Sequence, residues 1–344
     1  MAEARGSPVV IVGAGIAGLA CGRALREGGR RVLLLERAHG VGGRCATRRI
    51  DGQPVDFGVA FLHGRDPAFL AALEAVPATS LAGWPASVRG TGRPCNPEAF
   101  APGERRLAFA EGVAAFPNHL ARGLEVRLQR RVVAIEPDDG TVRLVLEDAS
   151  RLEAETAVLA LAAEEAAELL ASVAPAPPPV ESTRALLAMA RSEACLALLA
   201  AYGPATPAPA WDACFPEESR ILQLASHDSA KRPSPAFVAV VYQAHASWSR
   251  QHLEDPDWPA VLLEEAGRLL GPWAAAPRHV ESHRWRHARS DRAAELAAPM
   301  LLALPGGARL GLCGDRFARG GGVEAAWASG RALAGRILAE EARR

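Results

Sequence analysis

The sequence predicts an α/β protein: a parallel sheet with covering helices, interrupted by a second, α+β domain built on an antiparallel sheet. Three observations lead there. Near the start, Val9-Val10-Ile11-Val12 runs straight into Gly13-Ala14-Gly15-Ile16-Ala17-Gly18; a short β-branched run of this kind reads as a strand buried on both faces. In mid-chain, the proline-rich stretch 175–179 breaks the pattern, and a domain boundary is expected there. Towards the end, Leu310-Gly311-Leu312-Cys313 is followed by Gly314-Asp315, by Gly320-Gly321-Gly322 and by a long helical pattern through Leu338. This segment returns the chain to the first sheet.

The first strand opens a complete unit. After the glycines a helical pattern runs through Leu19, Ala20, Ala24 and Leu25 and stops at Gly28-Gly29, and a second strand, Val32-Leu33-Leu34-Leu35, ends on Glu36. Strand, G-x-G-x-x-G turn, helix, strand and acid together form a Rossmann-type dinucleotide-binding unit. Gly13 permits the tight turn, Gly15 lets the backbone approach a pyrophosphate, and Gly18 lets the helix pack close to the strand. The free N–H groups of the first helical turn, at Ile16, Ala17 and Gly18, and the positive end of the helix dipole face the diphosphate. Glu36 is placed to accept hydrogen bonds from ribose hydroxyls and repels a 2′-phosphate, which favours FAD or NAD over NADP. Just past the acid comes Val41-Gly42-Gly43-Arg44. A glycine pair followed by arginine brings backbone and a cation to the same diphosphate, and argues for FAD.

Composition narrows the classes. Lys+Arg and Asp+Glu are equal at 39 each, so no net field points to nucleic acid or to a membrane surface. A hydrophobic content of 49% over 344 residues supports a large core. The six cysteines, Cys21, Cys45, Cys95, Cys195, Cys214 and Cys313, form no C-x-x-C pair; free thiols in a reducing cytoplasm are the expectation. No signal peptide and no apolar run long enough to span a bilayer is visible.

Between these landmarks, Val55-Asp56-Phe57-Gly58 reads as a strand end and turn. Asp66 and Pro67 open a helix that reaches about Val76. Residues 82–103 are rich in Gly, Pro and Arg and read as short strands and loops. A short helix is expected at 116–120, strands at 126–128 and 132–135, and a turn at Pro137-Asp138-Asp139-Gly140. Thr141 onward alternates polar and apolar to Leu146. A buried strand at 157–161 precedes a helix at 164–170. Beyond the proline break, strands are expected at 195–201, 221–224 and 237–242, with a helix over 259–270. The expected division gives 1–80, 104–175 and 283–344 to a discontinuous FAD-binding domain, and 81–103 and 176–282 to a substrate domain.

With these residues in view, the chain resembles the bacterial renalase-like FAD-dependent oxidoreductases, within the wider flavin amine oxidase and phytoene desaturase group. The resemblance runs over nearly the full length and is most particular at Gly42-Gly43-Arg44-Cys45-Ala46-Thr47-Arg48-Arg49 and His283-Arg284-Trp285-Arg286-His287. It implies noncovalent FAD, a hydride passed from a small-molecule substrate to flavin N5, and O2 as the electron acceptor. Renalase-type enzymes are associated with isomeric or wrongly reduced NAD(P)H more than with amines. As cofactor contacts it implies, besides the glycines, Ile16, Ala17 and Glu36, the residues Arg37, Gly43, Arg44, Phe57, Gly58, Val133, Gly314, Asp315, Gly322, Val323 and Glu324. One departure bears on the substrate: relatives carry a Gln-Tyr-Phe-Thr-like run after the Asp56-Phe57-Gly58 equivalent, where this chain has Ala60-Phe61-Leu62-His63.

For chemistry on the substrate side the candidates are His287, Trp285 and His63. On a strand, His283, Trp285 and His287 share one face and Arg284 and Arg286 the other. Two readings of that face stand: it lines the substrate side, or it is a sheet core with arginines outside. His63 and Arg65 are either substrate contacts or surface-loop residues. No metal set is expected, because His283 and His287 lack a third ligand at suitable spacing. An amine oxidase would need aromatic side chains to cage a neutral amine, and aromatic content is only 5%, with two tyrosines. The rival readings are an amine oxidase or a porphyrinogen or carotenoid desaturase and, from another class, a flavin-binding protein without turnover.

Overall fold

The computed structural model describes residues 5–92 and 98–343. They form two compact units, one of 5–43, 117–192 and 289–343, the other of 44–92, 98–116 and 193–288. Cys95 lies outside the described residues.

The first unit is built on a six-stranded sheet in the order Met300–Ala303, Arg309–Leu312, Thr156–Leu159, Arg5–Val12, Arg30–Leu35, Glu125–Arg127. The four strands over which the glycine unit lies pair in parallel: Ile11 faces Val158 on one side and Leu34 on the other, and Val158 faces Gly311. Val9, Val10 and Ile11 are at most 1% exposed, as a strand covered on both faces requires. The antiparallel edge strand Met300–Ala303 had no sequence signal of its own, because Met300-Leu301-Leu302-Ala303 is apolar without alternation.

Helices cover this sheet. Ile16–Glu27 buries Leu19, Ala20 and Leu25 against it and ends at Gly28. The long helix Gly322–Glu341 packs on Ile16–Glu27 backbone to backbone, since a Cβ on Gly330 would strike the carbonyl oxygen of Ala17. A three-stranded antiparallel sheet, Val132–Asp138, Thr141–Leu146 and Arg151–Ala154, adds Ile135, Val142 and Leu144 to the same core. Thr141–Leu146 alternates half-buried and buried along its length. The expected four-residue turn is tighter than read: Asp138 pairs with Thr141, leaving Asp139-Gly140 as a two-residue hairpin loop with Gly140 at φ +75°.

The second unit holds a six-stranded sheet in the order His279–Ser290, Ser192–Ala201, Ala239–Ala244, Leu222–Ser226, Ala213–Cys214, Val88–Arg89. Its centre is antiparallel. The helix Trp258–Leu270 packs Trp258, Leu262 and Ala266 over one face with Tyr202 and Tyr242. The hairpin Thr47–Ile50/Gln53–Asp56 packs Ile50, Val55 and Phe57 against Leu199, Ala201 and Val241. A small sheet of Leu62–Gly64, Arg105–Phe109 and Ser80–Ala82 completes the unit. The helix Pro67–Glu74 is capped as expected, with the Asp66 carboxylate accepting from Phe69 N at 2.9 Å.

Packing draws the division differently from the sequence. Residues 44–80, 104–116 and 283–288 go with the second unit, because the 47–56 hairpin and the 279–290 strand bury their apolar faces there. Residues 176–192 go with the first. Pro178 opens a helix, Pro178–Ala188, at its first turn, where proline is tolerated, and that helix sends Val180 and Leu187 into the first unit's core.

Candidate functional site

In the first unit the glycine turn sits at the carboxyl ends of the parallel strands, where open sheets of this type take their ligands. The three glycines have distinct tasks. Gly13 has φ +100°, and a Cβ there would come within 2.5 Å of Ala160 O. A Cβ on Gly18 would strike Gly13 O. By contrast, a Cβ on Gly15 would meet nothing within 4 Å. Gly13 and Gly18 are therefore required by the fold, whereas Gly15 borders open space, the cradle that a closely approaching pyrophosphate fills. Gly15 is also the N-cap of Ile16–Glu27, and no side chain caps that end. The N–H groups of the first turn have no intrahelical acceptor and are available to an anion.

The second glycine pair docks onto the first. Gly42 N donates to Ala14 O at 2.8 Å, Gly42 forms a parallel bridge to Gly15, and Gly43 has φ +54° with its Cβ position 3.5 Å from Gly15 Cα. The glycine pair thus lies against the first glycine turn. Glu36, 9% exposed, closes the far side. Its carboxylate accepts from Ala14 N at 2.8 Å and from Ala38 N at 2.9 Å, which leaves lone pairs on both oxygens for ribose hydroxyls. These donors and acceptors fit the adenosine diphosphate half of FAD.

The other proposed cofactor residues of this unit fall in varied surroundings. Asp315, buried at 6%, lies in the single turn Asp315–Phe317 just beyond the strand Arg309–Leu312. Gly314 N donates to Ser329 Oγ at 3.1 Å, tying that strand tip to the long helix. Gly322, Val323 and Glu324 form the opening of that helix, behind the turn whose Gly320 N donates to Glu295 Oε2 at 3.1 Å. Arg37 pairs with Glu165 at 2.6 Å with its side chain 59% exposed. Val133 is 43% exposed.

In the second unit, Phe57 stands between two partners. The guanidinium of Arg48 lies 4.6 Å from its ring centre, and Trp285 stacks on it at 5.4 Å. His283 meets both rings, at 5.1 Å from Phe57 and 4.2 Å from Trp285. Backbone contacts fix the turn that follows: Trp285 Nε1 donates to Phe57 O at 3.0 Å, Gln243 Nε2 to Gly58 O at 2.6 Å, and Val59 N to Arg44 O at 3.0 Å. A side chain at Gly58 would strike Arg44 O. Arg44 Nη1 donates to Ala288 O at 3.2 Å.

The strand His279–Ser290 has the expected two faces. His283, Trp285 and His287 are half-buried while Arg284 and Arg286 are exposed. Trp285 packs against the hydrophobic cluster of the 47–56 hairpin, as the sheet-core reading expects, and stays half-buried. Burial and the neighbouring Arg48 hold the His283 pKa below its ordinary value, so the ring is neutral at pH 7. His63 is held by an acid the sequence reading missed: its Nδ1 lies 2.7 Å from Glu104 Oε1, and Arg65 Nε donates to Glu104 Oε2 at 3.1 Å. Forty residues separate the partners in sequence, so only the pairing of Leu62–Gly64 with Arg105–Phe109 reveals them.

A buried charge cluster was also missed. Lys231, 1% exposed, lies 2.8 Å from Asp56 Oδ2 and 2.7 Å from Asp228 Oδ1. Arg232 Nη2 lies 2.6 Å from Asp228 Oδ2, and its Nη1 and Nε donate to the carbonyls of Phe109, Ala110 and Pro54. Asp56 Oδ1 accepts from Thr47 Oγ1 at 2.6 Å and Val113 N at 2.8 Å. Burial pushes the Asp56 carboxyl up, but the charges of Lys231 and Arg232, with hydrogen bonds from Lys231 and Thr47, outweigh it and hold the group below the usual carboxylate range. The cluster fixes Asp56, the residue before Phe57-Gly58.

Both tyrosines of the chain are also spent in this unit's interior. Tyr202 and Tyr242 are fully buried, their hydroxyls 2.6 Å apart, with Tyr202 donating to Ala274 O at 2.8 Å. The described cysteines are buried, and none is in a disulfide among the described residues. Burial pushes the Cys45 thiol up to about 12 and Cys214 to about 11, which makes both inert.

A parallel sheet with its glycine turn, a second glycine pair docked on it and a buried acid at the end of the next strand forms the frame of a dinucleotide-binding domain. Comparison with known proteins gives the family. Residues 11–75 match the NAD(P)-binding Rossmann-like domain and residues 83–338 match the flavin containing amine oxidoreductase family. The chain belongs to that family, and its cofactor is FAD. A Mycobacterium tuberculosis protein assigned as a flavin-containing monoamine oxidase is 48% identical over 63 residues, 18% of this chain and 14% of that protein. Polyamine oxidase 3 of Oryza sativa subsp. japonica is 44% identical over 55 residues, 16% of this chain and 11% of its own length. These matched stretches are thus a small part of the curated relatives. Cyclohexylamine oxidase from Brevibacterium oxydans has the same fold over 98% of this chain and 99% of its own, with a TM-score of 0.72 at 17% identity. Among the described residues, no helix is long and apolar enough to cross a membrane.

Proposed function

We propose that this FAD enzyme oxidises a small dihydronicotinamide-like substrate, an isomeric or misreduced NAD(P)H, in the manner of renalase-type enzymes, with O2 as the final electron acceptor. The observation that carries the reading is the fate of the tyrosines. An amine-oxidising site needs aromatic faces around a neutral amine, and Tyr202 and Tyr242 are both locked together in the core. What the second unit leaves half-open is Trp285 with a neutral His283, near the guanidinium of Arg48, which itself pairs with Glu281 at 2.5 Å. A flat aromatic face next to imidazole and guanidinium suits a planar nicotinamide ring.

FAD supplies the two-electron acceptor. In this reading Trp285 and His287 contact the substrate, and His63, oriented by Glu104, is placed to exchange a proton with it. Gly13, Gly15, Ile16, Ala17, Gly18, Glu36 and Gly43 hold the adenosine diphosphate. Asp315 with Gly314, Gly322, Val323 and Glu324 serves the ribityl and flavin portion. Arg37, Arg44, Phe57, Gly58 and Val133 complete the proposed cofactor set, with Arg37 and Val133 the most solvent-exposed members. The buried thiols, none in a disulfide among the described residues, support a cytoplasmic setting.

The test is anaerobic bleaching of the flavin absorbance with NADH, NADPH, their isomeric dihydro forms and a panel of amines. Rapid bleaching by a dihydronicotinamide isomer is expected. Bleaching by an amine alone would overturn the reading in favour of an amine oxidase. A yellow protein inert to the whole panel would favour a flavin-binding protein without turnover.

A further inference from the structure

Arg316 stands out among the buried charges. It sits in the turn Asp315–Phe317 and is 4% exposed. Its carbonyl accepts from Leu296 N at 2.7 Å, yet among the described residues neither Nη1 nor Nη2 has a hydrogen-bond partner, and both are sealed from solvent. A guanidinium taken out of water without a partner is costly.

Its address is specific. The Cβ position of Gly13 lies 3.1 Å from Leu161 Cδ2, and that of Gly314 lies 3.5 Å from Leu161 O. The first glycine turn, residues 160–161 and Gly314 are therefore neighbours at the carboxyl ends of adjacent parallel strands, and Arg316 follows two residues later. The positive end of the helix Gly322–Glu341 lies just beyond in the chain. A fixed cation in this place, whose terminal nitrogens meet no hydrogen-bond partner among the described residues, calls for an anion brought by the ligand.

We propose that Arg316 is a positioning residue for FAD whose charge is balanced by the cofactor. Because its terminal nitrogens are enclosed by protein, it acts through its field in a poorly screened interior. The negative charge it answers comes from the diphosphate or from the reduced flavin ring. The inference rests on FAD binding by the first unit. A wild-type protein that takes up no FAD would sink that reading, whereas the variants below test Arg316 itself.

The experiment compares wild type, Arg316→Met and Arg316→Lys. It measures apoprotein and FAD-loaded Tm, affinity for FAD and for ADP, and the flavin midpoint potential. The Met variant removes an uncompensated buried charge, so its apoprotein should melt at or above the wild-type temperature, and the rise in Tm on adding FAD should shrink. If the diphosphate is the partner, affinities for both FAD and ADP fall about tenfold. If the reduced ring is the partner, ADP affinity holds and the midpoint potential moves to more negative values. Lysine should restore part of either effect. An Arg316→Met apoprotein that melts lower or fails to fold, or that keeps wild-type affinity and potential, would overturn the proposal.

Discussion

Two buried guanidinium groups, one in each unit, are treated in opposite ways. Arg232 of the second unit donates to three carbonyls and an aspartate, beside a lysine that two aspartates share. Arg316 of the first unit is as deeply buried and has no hydrogen-bond partner on its terminal nitrogens. The same fold that satisfies every group around Asp56 leaves this one unmet. A closed set of charges serves the protein's own structure, whereas an open charge beside a glycine cradle serves something that arrives later. Breaking the first should cost stability; breaking the second should cost binding.

The largest effect should come from opening the closed set. Lys231→Met leaves Arg232 alone to balance the buried Asp56 and Asp228 and should lower unfolding free energy by about 3–5 kcal/mol; urea denaturation reads this, and a loss of under about 1 kcal/mol would erase the contrast. A smaller step is Thr47→Val, which takes one hydrogen bond from the Asp56 carboxylate and one acceptor from Ala114 N. It should cost about 1.5–3 kcal/mol by the same assay.

Acid tests the set without mutation. The Asp56 carboxyl is held below its unfolded value, so its contribution is fully present above about pH 4 and is lost as pH falls through the lower folded value. Stability measured between neutral pH and pH 2 should show that loss in the wild type, and a smaller one in Thr47→Val. The least effect on the fold belongs to Gly15→Val, since a side chain there meets only open space. The apoprotein should lose no more than about 1 kcal/mol for the poorer helix cap, yet FAD should no longer bind; full FAD occupancy in that variant would remove the cradle.

How far the sequence anticipated this depends on the range of the signal. The glycine turn, Glu36, the Asp66 cap and the alternation of residues 283–287 were legible because each is written within a few residues and follows helical or strand period. The charge set was not. Asp228, Lys231 and Arg232 are local neighbours, but Asp56 reaches them across more than 170 positions of chain, and nothing near Asp56 announces that partner. His63 gave a candidate without its Glu104, for the same reason. Val133, a proposed cofactor contact, is exposed because its strand belongs to the three-stranded sheet, whose alternation turns Val132 inward and Val133 outward.

Lys231 is the only lysine among the 344 residues, and it lies at the centre of the closed set. The chain therefore offers amine-reactive reagents a single ε-amino group, hidden until the second unit opens. An acylating ester added to native protein becomes a clock on that opening, read by mass as one added group at residue 231. Bound cofactor or substrate that steadies the second unit would slow the clock, and agents that loosen it would speed it. No engineered label is needed to watch this half of the molecule breathe.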